Sequence, residues 1–128
     1  MLKRIKNLLE RNSLFFAISS SVLVLILSLI NMEGVPNFNY SYTDKFEHVF
    51  AYAVISFFWM LSCKLGKLPV SFFSLFLIII AYGIIIELLQ LSLTSHRTGD
   101  LMDVMANSIG VILGFIFLKI LSRIYLQV

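Results

Sequence analysis

Four apolar runs, each about twenty residues long, divide this chain, and polar positions fall between them or in sparse stripes inside them. The first run covers roughly Ser13 to Ile30 and the second Phe46 to Ser62. The third covers Val70 to Leu91, and the fourth Leu101 to Leu121. Each approaches the ~20 residues that a helix needs to cross a hydrocarbon core about 30 Å thick. None has the two-residue alternation of a barrel strand, and open sheet edges in lipid would strand backbone donors. The pattern therefore predicts four transmembrane helices. Residues 31–43 contain Gly34, Pro36, Asn37 and Asn39, which oppose regular structure. The other connections are short, so sequential helices are expected to be antiparallel neighbours. The expectation is an all-α, up-down bundle of four helices in a single domain, 1–128, without internal repeats.

Composition agrees with this pattern. Of 128 residues, 59% are hydrophobic and 13% are charged, more apolar surface than a soluble domain of this length can bury. A basic start before an apolar run also describes a cleavable signal peptide. Here the run is too long, and residues 31–36 offer no small-x-small cleavage pattern, so a retained helix is expected.

Charge placement predicts orientation. Lys3, Arg4, Lys6 and Arg11 precede the first run, Lys64 and Lys67 separate the second and third, and Lys119 and Arg123 close the fourth. These eight of the ten basic residues lie on one side, which places both termini in the cytoplasm by the positive-inside rule. Lys45 and Arg97 stand on the other side with six acids: Glu33, Asp44, Glu47, Glu87, Asp100 and Asp103. The basic residues cap apolar runs and form no continuous patch, so nucleic acid is not expected as a partner. Cys63 is the only cysteine, which excludes an internal disulfide.

Polar residues at membrane depth are costly, so their spacing is informative. On the second helix, Asp44, His48 and Tyr52 recur every four residues and share one face. On the third, Gly83, Glu87 and Gln90 form a stripe. On the fourth, Asp100, Asp103 and Asn107 share a face that Gly110 and Gly114 continue inward, a spacing suited to close helix packing. All three stripes lie toward the outer ends of their helices, so the topology gathers them, with Lys45 and Arg97, at an extracytoplasmic mouth.

These residues resemble a known family. Asp44-Lys45-Phe46-Glu47-His48, followed by Tyr52, is similar to the Asp-Lys-x-x-His-x-x-x-Tyr signature of the VanZ-like membrane proteins. Glu87-Leu88-Leu89-Gln90, then Arg97, Asp100, Asp103, Asn107 and Gly110, resembles the second half of that signature. The resemblance covers about residues 40–115 and leaves no motif position vacant. It implies a bacterial cytoplasmic-membrane protein of the cell envelope. The family takes its name from a protein associated with teicoplanin resistance, which links this chain to glycopeptide antibiotic tolerance.

The expected roles follow from residue chemistry. His48 suits acid–base or phosphoryl-transfer work near neutral pH, with Glu87 and Asp103 as its catalytic companions. The bland alternative is a structural histidine bonded to Asp44 or Asp103. Arg97 and Lys45 suit binding of a phosphate or carboxylate, and Asp44, Tyr52, Gln90, Asp100 and Asn107 would complete a substrate-binding set. Equally, Arg97 could pair with Asp100 or Asp103, Lys45 could snorkel, and Glu87 could form an interhelical salt bridge. Asp44, His48, Glu87 and Asp103 also invite a metal, but no repeated His motif accompanies them, so neither metal nor cofactor is expected. Tyr40, Tyr42 and Trp59 read as interfacial anchors.

Three functions fit. The chain binds or acts on an anionic cell-envelope lipid or lipid-linked precursor; it is a non-catalytic membrane scaffold or binding factor; or it is a small transporter or flippase working as an oligomer. No serine or cysteine nucleophile accompanies His48, which disfavours acyl transfer by a triad. The residues decide neither whether the chain is an enzyme nor its oligomeric state.

Overall fold

The computed structural model describes residues 1–30, 41–93 and 100–124. It contains helices α1 (Leu2–Leu29), α2 (Ser41–Lys64), α3 (Phe72–Leu93) and α4 (Leu101–Ile124), with no strand among the described residues. All four are long and apolar enough to span a membrane. They extend past the apolar runs at one or both ends. In α1 the basic segment continues the same helix, with Lys6 and Glu10 paired across one turn at 3.8 Å.

The helices alternate in direction. The Gln90 amide of α3 donates to the Ser28 carbonyl at 3.1 Å, which joins the last turns of α3 and α1. At the opposite end, the ammonium of Lys67 in the α2–α3 connection donates to the Arg11 carbonyl at 3.1 Å and to the Ser13 hydroxyl at 2.8 Å. That connection ends α2 with a Schellman motif. Gly66 adopts φ +70°, its N–H bonds to the Cys63 carbonyl, and the Lys67 N–H reaches the Ser62 carbonyl, both at 3.0 Å. The left-handed backbone there suits glycine, which carries no Cβ to clash.

The tightest pairing is not sequential. Helices α2 and α4, which run parallel, pack most extensively, whereas α1 touches α2 and α3 but not α4. Sequential helices are neighbours as expected, and the glycines of α4 give the reason for the closer α2–α4 pairing. A Cβ on Gly110 would collide with the Val49 carbonyl oxygen, and one on Gly114 would collide with that of Ala53. Without those methyl groups, the two backbones approach closely along a Gly-x-x-x-Gly seam. The same register continues down the pair, where the Ser56 hydroxyl donates to the Val111 carbonyl at 2.8 Å and Phe57 meets Phe117 at 5.6 Å.

Tyr52, Ile55, Met60, Leu61, Leu75, Ile79, Val111 and Leu118 form the buried centre. Large apolar side chains such as Phe15, Phe46, Phe73 and Leu101 point outward, as a lipid-facing surface requires.

Candidate functional site

Asp100 opens α4 as its N-cap: its side chain accepts the Met102 N–H at 3.3 Å and its carbonyl accepts the Asp103 N–H at 2.9 Å. This cap turns Asp103 and Asn107 toward α2, one turn apart on the same helical face. Across the seam, the Lys45 ammonium hydrogen-bonds Asp103, whose side chain is buried, and lies 3.9 Å from both Asp44 and Asp100. Lys45 thus does not snorkel freely, because three carboxylates lie around its ammonium. Asp44, His48 and Asp103 also place a potential ligand atom each within 4.8 Å of one another, a grouping of the kind that can hold a metal. The Lys45 ammonium supplies positive charge at that same cluster.

His48 is the hub of the site. Its Nδ1 is 2.9 Å from Asn107 Oδ1, and the Asn107 amide nitrogen donates to Glu87 Oε1 at 3.2 Å. The roles follow in sequence: the amide nitrogen donates to Glu87 Oε1, so the amide oxygen faces His48, and Nδ1 carries the hydrogen of that bond. The remaining ring nitrogen, Nε2, faces the outer acids, 3.8 Å from Asp44 and 4.0 Å from Asp103. His48 therefore stands between an inner carboxylate and an outer pair. The ring's Nδ1 lies 3.6 Å from Glu87 itself.

Beneath this layer, Gly83 makes room. A Cβ there would lie 3.1 Å from the Tyr52 ring and 3.3 Å from the Asn107 amide nitrogen. Tyr52 is 1% exposed and Glu87 3% exposed, yet Tyr52 Oη and Glu87 Oε2 have no hydrogen-bond partner among the described residues. Buried polar atoms are nearly always satisfied, so two adjacent to one network are notable. A cavity of about 120 Å³ opens beside Tyr52, walled by Val24, Leu27 and Ser28 of α1 and by the Asp44, Glu47, His48 and Tyr52 face of α2.

The structure thus brings Asp44, Lys45, His48, Glu87, Asp100, Asp103 and Asn107 into one network, with Tyr52 directly below. Gln90 is buried against α1, where its amide donates to Ser28. Glu87 is bonded through Asn107 rather than to Lys45. Arg97, as well as His96 and Tyr40, lies outside the described residues. Trp59 departs from its reading as an interfacial anchor, since its indole N–H donates to the Ser21 hydroxyl at 3.0 Å inside the bundle. The α1 wall was not anticipated. A signal for it exists: Ser13, Ala17, Ser21 and Ser28 form a small, polar stripe on an otherwise bulky helix, and Ser13, Ala17 and Ser28 are buried.

Neither a curated protein nor a solved structure matches the chain. A family model described as VanZ/LLP1 matches residues 3–122, almost its full length, and this four-helix membrane protein therefore belongs to the VanZ/LLP1 family.

Proposed function

We propose that this protein binds a lipid of the bacterial cell envelope by its headgroup, at the extracytoplasmic mouth of the bundle. It does so in the cytoplasmic membrane, with both termini inside, an orientation supported by the eight-to-two asymmetry of basic residues. The observation that carries this reading is the buried Tyr52 Oη, without a hydrogen-bond partner among the described residues, at a cavity that His48 and Asp44 also line; Glu87 Oε2, in the adjoining network, likewise has none among them. A ligand with donors and acceptors would satisfy groups that are otherwise expensive to bury.

The ligand class proposed is an anionic, phosphate-bearing lipid or lipid-linked precursor. Since Lys45 is already enclosed by Asp44, Asp100 and Asp103, anion recognition falls to Arg97, helped by the Tyr52 hydroxyl and the His48 ring. Where a chemical step follows, His48 Nε2 would exchange a proton with the bound headgroup. Glu87 holds the opposite nitrogen's orientation through Asn107. Glycopeptide tolerance would follow from a change in how such a lipid is presented.

Native mass spectrometry with paired lipids tests the proposal. Phosphatidylglycerol or a polyprenyl phosphate should bind more tightly than phosphatidylcholine, and Arg97→Ala should erase the difference. Equal binding of anionic and zwitterionic lipids overturns it.

A second reading has its own support. The Lys45–Asp103 pair and the His48–Asn107–Glu87 chain together tie α2, α3 and α4 at one end. A purely structural network would do the same, and the protein would then act as a membrane scaffold.

A further inference from the structure

Three acceptor atoms converge at the outer end of the α2–α4 pair. His48 Nε2 lies 3.8 Å from Asp44 Oδ1 and 4.0 Å from Asp103 Oδ1, and one atom from each residue falls within 4.8 Å of the others. These separations are too long for hydrogen bonds. They match the reach of a single ion, since bonds of about 2.1 Å allow two ligand atoms to stand up to about 4.2 Å apart. Any remaining adjustment falls to Asp44, whose side chain is 46% exposed.

The imidazole is set up for such a bond. Its Nδ1–H is held by the Asn107 amide oxygen, and the Asn107 amide nitrogen is anchored on Glu87 Oε1. In the neutral ring Nε2 then carries a lone pair, and no donor among the described residues bonds to it. Histidines that ligate metals are oriented by the same kind of bond on the far nitrogen. A lone pair that faces two carboxylates is repelled by both unless a cation stands between them. The formal charges agree, with Asp44, Asp100 and Asp103 gathered around the single ammonium of Lys45.

A separate observation points to a ligand at the same place. Asp44 and His48 line the mouth cavity together with Tyr52, which is 1% exposed and whose hydroxyl has no hydrogen-bond partner among the described residues.

We propose that His48 Nε2, Asp44 and Asp103 hold one divalent transition-metal ion of the Zn²⁺ or Mn²⁺ kind. An imidazole beside two carboxylates suits these ions better than Mg²⁺ or Ca²⁺, which favour oxygen ligands throughout. No repeated histidine motif is needed, because the third ligand comes from a neighbouring helix. The ion displaces the Lys45 ammonium from Asp103 toward the more exposed Asp100. Three protein ligands leave a position open for water or a substrate oxygen. The site does not rest on the headgroup reading. Proton exchange by Nε2 belongs to the metal-free protein, and in the loaded protein the ion itself meets a phosphate.

Titration of the lipid-free protein in detergent with Zn²⁺, Mn²⁺ and Mg²⁺, followed by calorimetry and by thermal unfolding, tests the proposal. Zn²⁺ or Mn²⁺ should bind one per chain, more tightly than Mg²⁺, and raise the melting temperature. His48→Gln should weaken binding by more than about tenfold, the least that loss of a supporting residue usually costs. Asp44→Asn, at an exposed side chain, gives the same reading where His48→Gln impairs folding. Lys45→Met should bind the ion more tightly than the parent, because the competing ammonium is gone, and the ion should restore the stability that this variant loses. Binding no tighter than that of Mg²⁺ overturns the proposal and leaves a protonated His48 as the cation between the acids. Binding that is unchanged in both Asp44→Asn and Lys45→Met also overturns it, since the ion would then sit elsewhere.

Discussion

Gly110 of α4 lies so close to Val49 of α2 that no side chain fits between them. Every polar contact across the mouth depends on this approach, because Lys45, His48 and Tyr52 flank Val49 on α2. Gly110→Ala should therefore destabilise the protein by about 1–3 kcal/mol, the usual range for overpacking, and Gly114→Ala should behave alike. Unfolding measured in mixed micelles checks this. A Gly110→Ala protein as stable as the parent would show that the pairing tolerates separation.

Lys45→Met strands the buried Asp103 carboxylate. Lys45 is a quarter exposed, so the loss should fall between the ~0.5 kcal/mol of surface pairs and the ~4 kcal/mol of fully buried ones. Asp103→Leu added to Lys45→Met should recover stability while leaving lipid binding impaired. A double variant that is no more stable than Lys45→Met would mean that the pair is not the source of the loss.

The network also separates chemistry from architecture. His48→Ala, Glu87→Gln and Arg97→Ala should abolish the cellular phenotype with only modest loss of folded protein. Asn107→Leu should do both, because it leaves His48 Nδ1 and Glu87 Oε1 unpartnered at about 1–3 kcal/mol. Parallel loss of folded protein and phenotype in all four would favour the scaffold.

Orientation is open to direct labelling. In a Cys63→Ser background, Lys67→Cys should react only when reagent reaches the cytoplasmic side, and Leu101→Cys should react from outside. The reverse result would move the mouth to the cytoplasm.

Much of this architecture was legible from spacing. Asp44, His48 and Tyr52 had to share a face, and the alternation of short connections had to return Glu87 and Asn107 to the same end. What periodicity could not supply was the partner of each group. Lys45 chose Asp103 over Glu87 because α4 runs parallel to α2 in close register, a result of two glycines rather than of charge. Gln90 belonged to the same stripe as Glu87, yet a further turn along the helix carries it to α1. The α1 wall was hidden because serine is unremarkable in a hydrophobic helix until a neighbour is known.

The position of α1, in contact with α2 and α3 but away from α4, has a practical consequence. It puts the α1–α2 seam on the perimeter of the bundle, where its neighbour is bilayer rather than water. The lipid proposed for the mouth would reach its α1–α2 wall sideways, already dissolved in the membrane. Its occupancy is then governed by its mole fraction among lipids and not by any aqueous concentration. Diluting a preparation with buffer would leave the seam loaded, while adding plain phospholipid would empty it.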